Sequence, residues 1–178
     1  MRSVIFLLST ILLLIISCKD DPKIPGCTDL DSTSYNPAAN ENDGSCAYPR
    51  DVFIGTWSGP VDCSKDFDDD PNFFIQISIV DEATDEVNVD FLCCPKLIFT
   101  AKVVDENTLM INYKRPVQDY PNRCNTPTTI LRQGFFQWQT TLVRSGNTLK
   151  SQLSTESLLD GDGKVICSEN CRYEFTKI

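Results

Sequence analysis

The chain has 178 residues, of which 41% are hydrophobic and 23% are charged, and its formal net charge is −9. It contains no histidine, which excludes Ser-His-Asp and Cys-His nucleophile arrangements as well as histidine-ligated zinc and haem. The acidic balance argues against nucleic acid as a partner, because phosphates require a basic surface. An enzyme of this composition would have to use carboxylates, Lys, Tyr or a carboxylate-bound metal.

The first predicted element is an export signal over residues 1–17. Arg2 supplies a positive charge, and the apolar stretch from Val4 to Ile16 has the length of a signal-peptide core and is short for a transmembrane span. The following text, Ile15-Ile16-Ser17-Cys18, resembles a bacterial lipobox. The resemblance implies that lipid is attached to the Cys18 thiol. The alternative is an ordinary secretory signal with a cysteine near its end.

A polar, proline-containing tether is predicted for residues 18–26. Its start, Lys19-Asp20-Asp21, resembles the short tag that directs lipoproteins of Bacteroidota to the outer face of the outer membrane, although a solvated tether would have the same composition. Without residues 1–17 the chain keeps 15 of its 16 Lys and Arg residues against 25 Asp and Glu, a net charge of −10. Membrane contact is therefore expected from acyl chains on Cys18 rather than from anionic headgroups.

Eight cysteines follow Cys18, and an even number in an exported chain predicts disulfide bonds. They are Cys27, Cys46, Cys63, Cys93, Cys94, Cys124, Cys167 and Cys171. A cysteine metal site is the alternative, but the usual two closely spaced couples are not present.

Residues 27–49 are dense in Asn, Asp, Ser, Gly and Pro, a composition that cannot bury a core and predicts closure by a Cys27–Cys46 disulfide. The segment resembles the GCTD…YNP…A…DGSC module of surface and secreted Bacteroidota proteins, which implies a spacer near a cell-surface anchor. The matching residues are Gly26, Cys27, Thr28, Asp29, Tyr35, Asn36, Pro37, Ala39, Asp43, Gly44, Ser45 and Cys46.

The same spacer offers hard oxygen ligands for calcium. They belong to Asp29, Asp31, Asn40, Asn42 and Asp43. Their spacing does not fit a D-x-D-x-D-G loop, and turns made by Asn and Asp side chains explain the composition equally well.

From Asp51 onward, apolar residues recur with a period of two, which predicts strands with one buried face. Turn signals at 81–85, 105–107, 145–147 and 160–163 separate them. With a first strand near 53–61, this pattern predicts an all-β fold over residues 51–178. About eight antiparallel strands would form a meander, closed into a small barrel or flattened into a sandwich.

One connection, residues 115–132, is expected to be long and irregular, because it carries Pro116, Pro121, Pro127 and Cys124. Connections of this length in a compact β domain are usually functional or held by a crosslink.

The first strand contains Gly55-Thr56-Trp57, which resembles the opening motif of lipocalin-like barrels, where the tryptophan closes the base. A closer resemblance is to small lipocalin-like domains of Bacteroidota lipoproteins, with G-T-[WY]-x-G, a cysteine at the strand's end and a final Cys-x-[YF]-x-[YF]-x-[KR]. The corresponding text here is 55–59, Cys63 and 171–177.

The likeness to these domains implies neighbouring first and last strands, and hence a Cys63–Cys171 disulfide. Cys124 and Cys167 would then pair with Cys93 and Cys94 in either order. A vicinal Cys93–Cys94 bridge is the strained alternative.

Three further segments are candidates for chemistry. The loop with Asp66, Asp68, Asp69 and Asp70 is either a calcium site or a solvated acidic loop. Asp160-Gly161-Asp162-Gly163 begins like a calcium loop, but Val165 occupies the position that needs glycine, which favours a hairpin turn.

The third candidate is aromatic. In the run of Phe135, Phe136 and Trp138, alternation places Phe136 and Trp138 in the core and leaves Phe135 on the opposite face, available to a sugar or another ligand.

The function favoured by these patterns is a non-enzymatic, lipid-anchored protein of the outer-membrane surface that binds a small ligand or a surface protein partner. An accessory subunit of an outer-membrane assembly is the second hypothesis. A carboxylate-based hydrolase of extracellular polymers is the third, and no carboxylate pair stands out by spacing. No cofactor is expected, and calcium is the alternative. A pocket of roughly 300 Å³ or more, lined by residues such as Trp138 and Tyr113, would favour ligand binding.

Overall fold

The computed structural model describes residues 21–64, 70–92, 97–121 and 130–178. The predicted signal segment, the lipid-acceptor Cys18 and several candidate site residues lie outside these ranges. Those residues are Asp66, Asp68, Asp69, Cys93, Cys94 and Cys124. The chain forms two compact units, Met1–Cys46 and Ala47–Ile178. In the described ranges no helix is both long enough and apolar enough to cross a bilayer.

The first unit contains two short parallel strands, β1 (Pro25–Gly26) and β2 (Glu41–Asn42). Its loops are closed by a disulfide between Cys27 and Cys46, whose Cα atoms are 4.8 Å apart. This is the pair expected from the sequence, and it crosslinks a segment with little apolar surface to bury.

The second unit is an eight-stranded antiparallel barrel. Its strands are β3 (Gly55–Cys63), β4 (Asp70–Ile79), β5 (Glu86–Phe91), β6 (Leu97–Asp105), β7 (Thr108–Pro121), β8 (Ile130–Ser145), β9 (Thr148–Asp160) and β10 (Val165–Lys177). Each strand pairs with the next along the chain, and β10 returns to pair with β3. The all-β meander predicted from alternation is therefore confirmed, and it closes as a barrel rather than a sandwich.

The seam of the barrel is the pairing of the last strand with the first. Cys171 lies directly opposite Cys63 in this register, and the two form a disulfide across a Cα separation of 4.0 Å. This pair is also the expected one. Cys167 is disulfide-bonded as well, while the expectations for Cys93, Cys94 and Cys124 fall outside the described residues.

One end of the barrel, here called the base, is closed by the chain that enters β3. A short 3₁₀ helix, Pro49–Val52, precedes the strand, and the fully buried Trp57 donates its indole N–H to the carbonyl of Phe53 at 2.7 Å. Lys177 at the end of β10 lies over the Trp57 ring, with Nζ 5.4 Å from the ring centre. Trp57 thus closes the base, as the motif implied.

Gly59 is the second glycine of the motif formed by residues 55–59, and the close approach of β10 explains why it is a glycine. A Cβ atom at this position would overlap the carbonyl oxygen of Glu174 on β10. Only glycine lets the two strands approach this closely at the seam.

The prediction of a long irregular connection over residues 115–132 is wrong at both ends. β7 continues to Pro121 and β8 begins at Ile130, and their register pairs Pro116 with Phe135. The ladder between β6 and β7 ends at Met110, so a proline nitrogen directed at β6 beyond that point removes no hydrogen bond there. Proline was therefore a poorer strand breaker than the sequence analysis assumed.

Candidate functional site

The inward-facing residues change in character along the barrel. Near the base they are aliphatic and fully buried, namely Ile77, Val87, Leu109, Leu142 and Leu149. Toward the other end, here called the mouth, Val117, Leu158 and Glu169 are buried, but several other inward-facing residues are only half-buried. They are Phe73, Phe91, Leu97, Tyr113, Arg115, Phe136 and Glu156.

Their direction follows from the register, since residues directly opposite each other on paired strands share a face. Tyr113 is opposite the buried Trp138, and Arg115 is opposite Phe136. A side chain inside a barrel is exposed only through an end or a gap in the wall, so these half-buried residues mark the part of the interior that is accessible from outside.

An aromatic cluster forms the floor of the mouth. Trp138, 1% exposed, has its ring centre 5.2 Å from Phe91, 5.6 Å from Phe99 and 5.2 Å from Tyr173. Its indole N–H donates to Ser154 Oγ at 2.8 Å. The core assignment of Trp138 is therefore correct, and the tryptophan is held in place by both ring contacts and a hydrogen bond.

The wall between β6 and β7 is paired only near the base. Over residues 97–121, the backbone register joins Lys102 to Met110, Val103 to Leu109 and Asp105 to Thr108. Nearer the mouth, the rings of Phe99 and Tyr113 stack with their centres 4.4 Å apart. Where the mouth begins, β6 and β7 are thus joined by stacked side chains, and the backbone ladder between their described residues has ended.

A polar cluster on β9 and β10 faces the same interior. The Tyr173 hydroxyl donates to the Glu156 carboxylate, and Glu156 lies directly opposite the buried Glu169. Burial, then the charge of Glu156 and the hydrogen bond to it, raise the pKa of Tyr173 well above its ordinary value, and the charge of Glu169 adds to this. The phenol therefore remains a hydrogen-bond donor at neutral pH.

Arg115 is the inward-facing cation of the mouth. Its guanidinium carbon lies 5.9 Å from the centre of the Phe136 ring. Its Nε atom is shielded from solvent and has no hydrogen-bond partner in the part of the chain that the structure describes. A buried, charge-bearing donor without an acceptor is costly in a folded protein, so this atom is the most informative feature of the mouth.

Sequence analysis missed both Arg115 and the Glu156–Glu169 pair. For Arg115 a signal was present, because it continues the alternation of Leu109, Ile111 and Tyr113. The prolines that follow Arg115 favoured an irregular connection, so the alternation was not extended to this residue.

Three of the five proposed calcium ligands of the spacer are engaged in turns. Backbone N–H groups two residues on donate to Asp29 Oδ1, Asn42 Oδ1 and Asp43 Oδ1, each at 2.9 Å. Hydrogen bonds from the Ser45 side chain and backbone lower the pKa of Asp43. These contacts favour turn chemistry as the reason for the composition.

The other candidates for metal binding lie in the acidic loop before β4, in the turn after β9 and beside the seam disulfide. Asp70 begins β4, and its three companions in the acidic loop lie outside the described residues. Asp160 Oδ1 accepts the backbone N–H groups of Asp162 and Lys164, which confirms a hairpin turn between β9 and β10. The Glu169 carboxylate lies within 4.8 Å of the Cys63 and Cys171 sulfurs, but sulfurs joined in a disulfide are not thiolate ligands.

Phe135 points outward, as alternation predicted, and Lys114 Nζ lies 4.4 Å from its ring centre. Beside it, an open groove of about 450 Å³ runs along the β7–β8 hairpin. Its lining includes Pro116, Gln118, Gln133 and Gly161. The lysine covers one face of the ring, which makes this groove a weaker ligand site than the mouth.

Comparisons of the chain with protein-family models, with curated proteins and with solved structures found no match.

Proposed function

We propose that this protein is a lipid-anchored, non-enzymatic binding protein of the outer-membrane surface, and that its barrel takes up a small, largely apolar ligand through the mouth. The observation that carries the proposal is the half-exposed set of inward-facing aromatic residues above the Trp138 floor. Ligand sites in proteins are concave, mostly apolar and supplied with a few polar groups that fix orientation. The mouth combines these properties.

If the protein had a purely structural role, we would expect side chains to fill the barrel interior at both ends. At the base, Phe53 and Trp57 are fully buried, so the chain is able to seal a barrel end with aromatic residues. At the other end the rings of Phe73 and Phe91 pack against each other, with centres 5.0 Å apart, yet both retain exposure. The contrast between the two ends favours ligand entry.

The carboxylate pair does not support a hydrolase. Glu156 and Glu169 are direct neighbours on the paired strands β9 and β10, so both project from one wall of the barrel. Glycoside hydrolysis places its two carboxyl groups on either side of the bond to be cut. Glu156 is moreover bound to the Tyr173 hydroxyl, which suits a fixed polar contact for a ligand.

Ligand uptake is testable with the neutral apolar fluorophore N-phenyl-1-naphthylamine. We expect saturable binding to the purified protein, with an increase in probe fluorescence. Leu97→Trp, which places a larger side chain in the mouth, is expected to weaken binding at least tenfold. Ile98→Trp is the matched control, since Ile98 is exposed on the outer face of the same strand. Absence of saturable binding, or an equal loss in both variants, would contradict the proposal.

The lipid anchor rests on the sequence around Cys18. Metabolic labelling with an alkyne-bearing palmitate is expected to label the wild-type protein and to leave Cys18→Ala unlabelled. Protease treatment of intact cells is expected to degrade the labelled protein if it faces outward. Equal labelling of the two proteins would exclude Cys18 as the acceptor.

A further inference from the structure

We propose that the ligand of the mouth is an amphipathic anion, an apolar body of one or two rings carrying a carboxylate or sulfonate, and that Arg115 determines this specificity. The inference rests on the proposed function and identifies the chemical class of its ligand.

The position of Arg115 is fixed by the strand pairing. It follows Leu109, Ile111 and Tyr113 in the alternation of β7, all of which face inward, and it lies opposite Phe136 on β8. The guanidinium lies over that ring at 5.9 Å, a contact that orients a cation and leaves its N–H edge available. The arginine is therefore directed into the mouth rather than into solvent.

The unsatisfied Nε of Arg115 then identifies the missing group. An arginine offers five N–H donors in a planar fork that matches an anion with two oxygens. Hydrogen bonds between two charged groups are stronger than those between neutral groups. A ligand that places such an anion in the mouth would supply an acceptor for this donor, which has none among the described residues.

The carboxylates of the mouth support a cationic ligand less strongly than Arg115 supports an anionic one. The Glu156 carboxylate already accepts the Tyr173 hydroxyl hydrogen bond, and the phenol keeps its proton because its pKa is raised. Glu169, the other carboxylate, is buried beside the seam disulfide, whereas Arg115 is only half-buried and its guanidinium lies over the Phe136 ring.

The apolar body would lie between Arg115 and the floor. Phe136 lies opposite Arg115, and Trp138 in the floor is the next inward-facing residue along β8. The half-buried rings of Phe91 and Tyr113 face the same interior. A ligand body of one or two rings would stack against these side chains.

Arg144 provides a matched comparison at the other end of the barrel. Its Nε is likewise shielded and without a hydrogen-bond partner within the described ranges, but Arg144 pairs with the fully buried Leu149 near the base. Phe136 and Arg144 are eight positions apart on β8, or about 26 Å. Arg144 therefore controls for the loss of an inward-facing arginine away from the mouth.

The test compares two probes that share their rings, N-phenyl-1-naphthylamine and its anionic 8-sulfonate. We expect the wild-type protein to bind the sulfonate at least tenfold more tightly than the neutral probe. Arg115→Gln should weaken sulfonate binding tenfold or more and remove the preference for the sulfonate over the neutral probe. Arg115→Lys should keep part of the preference, and Arg144→Gln should leave it unchanged.

The outcomes separate this inference from the proposed function. If both probes bind equally and Arg115→Gln changes neither, the mouth binds ligands but the anion specificity is wrong. The same conclusion follows if Arg144→Gln removes the preference as strongly as Arg115→Gln. If neither probe binds, the proposed function fails and this inference fails with it. Should Arg115→Gln not fold, the wild-type preference and Arg115→Lys decide the matter.

Discussion

Replacement of both Cys63 and Cys171 by serine is expected to lower the free energy of unfolding of the barrel by about 5 kcal/mol. The disulfide joins residues 108 positions apart, and the loop-closure entropy it removes from the unfolded chain corresponds to about 5 kcal/mol at 25 °C for that length. Urea unfolding followed by tryptophan fluorescence measures the loss, because both tryptophans lie in the barrel.

The control is the double replacement of Cys27 and Cys46 by serine. That disulfide spans 19 positions in the first unit, for which the same entropy corresponds to about 3 kcal/mol. We expect the barrel's unfolding midpoint to remain unchanged in this variant. Equal shifts of the midpoint in the two double variants would show that the seam disulfide has no special role.

The second large effect is expected at the base. Trp57→Ala should lower the free energy of unfolding by about 3 to 5 kcal/mol, the usual cost of removing a large buried aromatic side chain. The variant also loses the indole hydrogen bond to the Phe53 carbonyl and the contact with Lys177. The residue is fully buried, so the cavity it leaves is not readily filled by solvent.

Ser58→Ala is the matched control for Trp57→Ala. Ser58 is the next residue of β3, is only half-buried and points outward, so its replacement should change the free energy of unfolding by less than about 0.5 kcal/mol. Trp57→Phe should fall between the two, since it keeps a ring and loses the hydrogen bond. A loss below about 1 kcal/mol for Trp57→Ala would mean that the base is closed by other contacts.

Much of the barrel was predictable because burial of alternate residues operates along most of its strands. The number of strands follows from residues that obey this rule, whereas the closing tryptophan and the seam disulfide were expected from the resemblance of their motifs to those of lipocalin-like domains. The prediction that Pro116 lies in an irregular connection was wrong. Whether a proline interrupts a strand depends on whether the neighbouring strand offers it a hydrogen bond, and the sequence does not reveal that the β6–β7 ladder ends at Met110.

The Glu156–Glu169 pair was not predicted, because the alternation of buried residues shifts by one position within β9. Near the base the buried position is Leu149, whereas further along the strand it is Ser154 and Leu158. The register to both neighbours shifts between these regions, as it does at a β-bulge, where one extra residue enters a strand. Alternation counted from Leu149 therefore directs Glu156 outward, although the strand pairs it with Glu169 on the inner face.

The seam between β3 and β10 also constrains how the protein folds. Its register joins residues from Trp57 to Cys63 with residues from Cys171 to Lys177, so the barrel closes only after the ends of a long stretch of chain have met. Contacts between such distant positions slow folding, since chain entropy is lost before those contacts form. In a chain still being synthesised, β3 could pair with β4 but would lack its second neighbour until β10 was made. The barrel would therefore stay open at the seam until its last strand had left the ribosome.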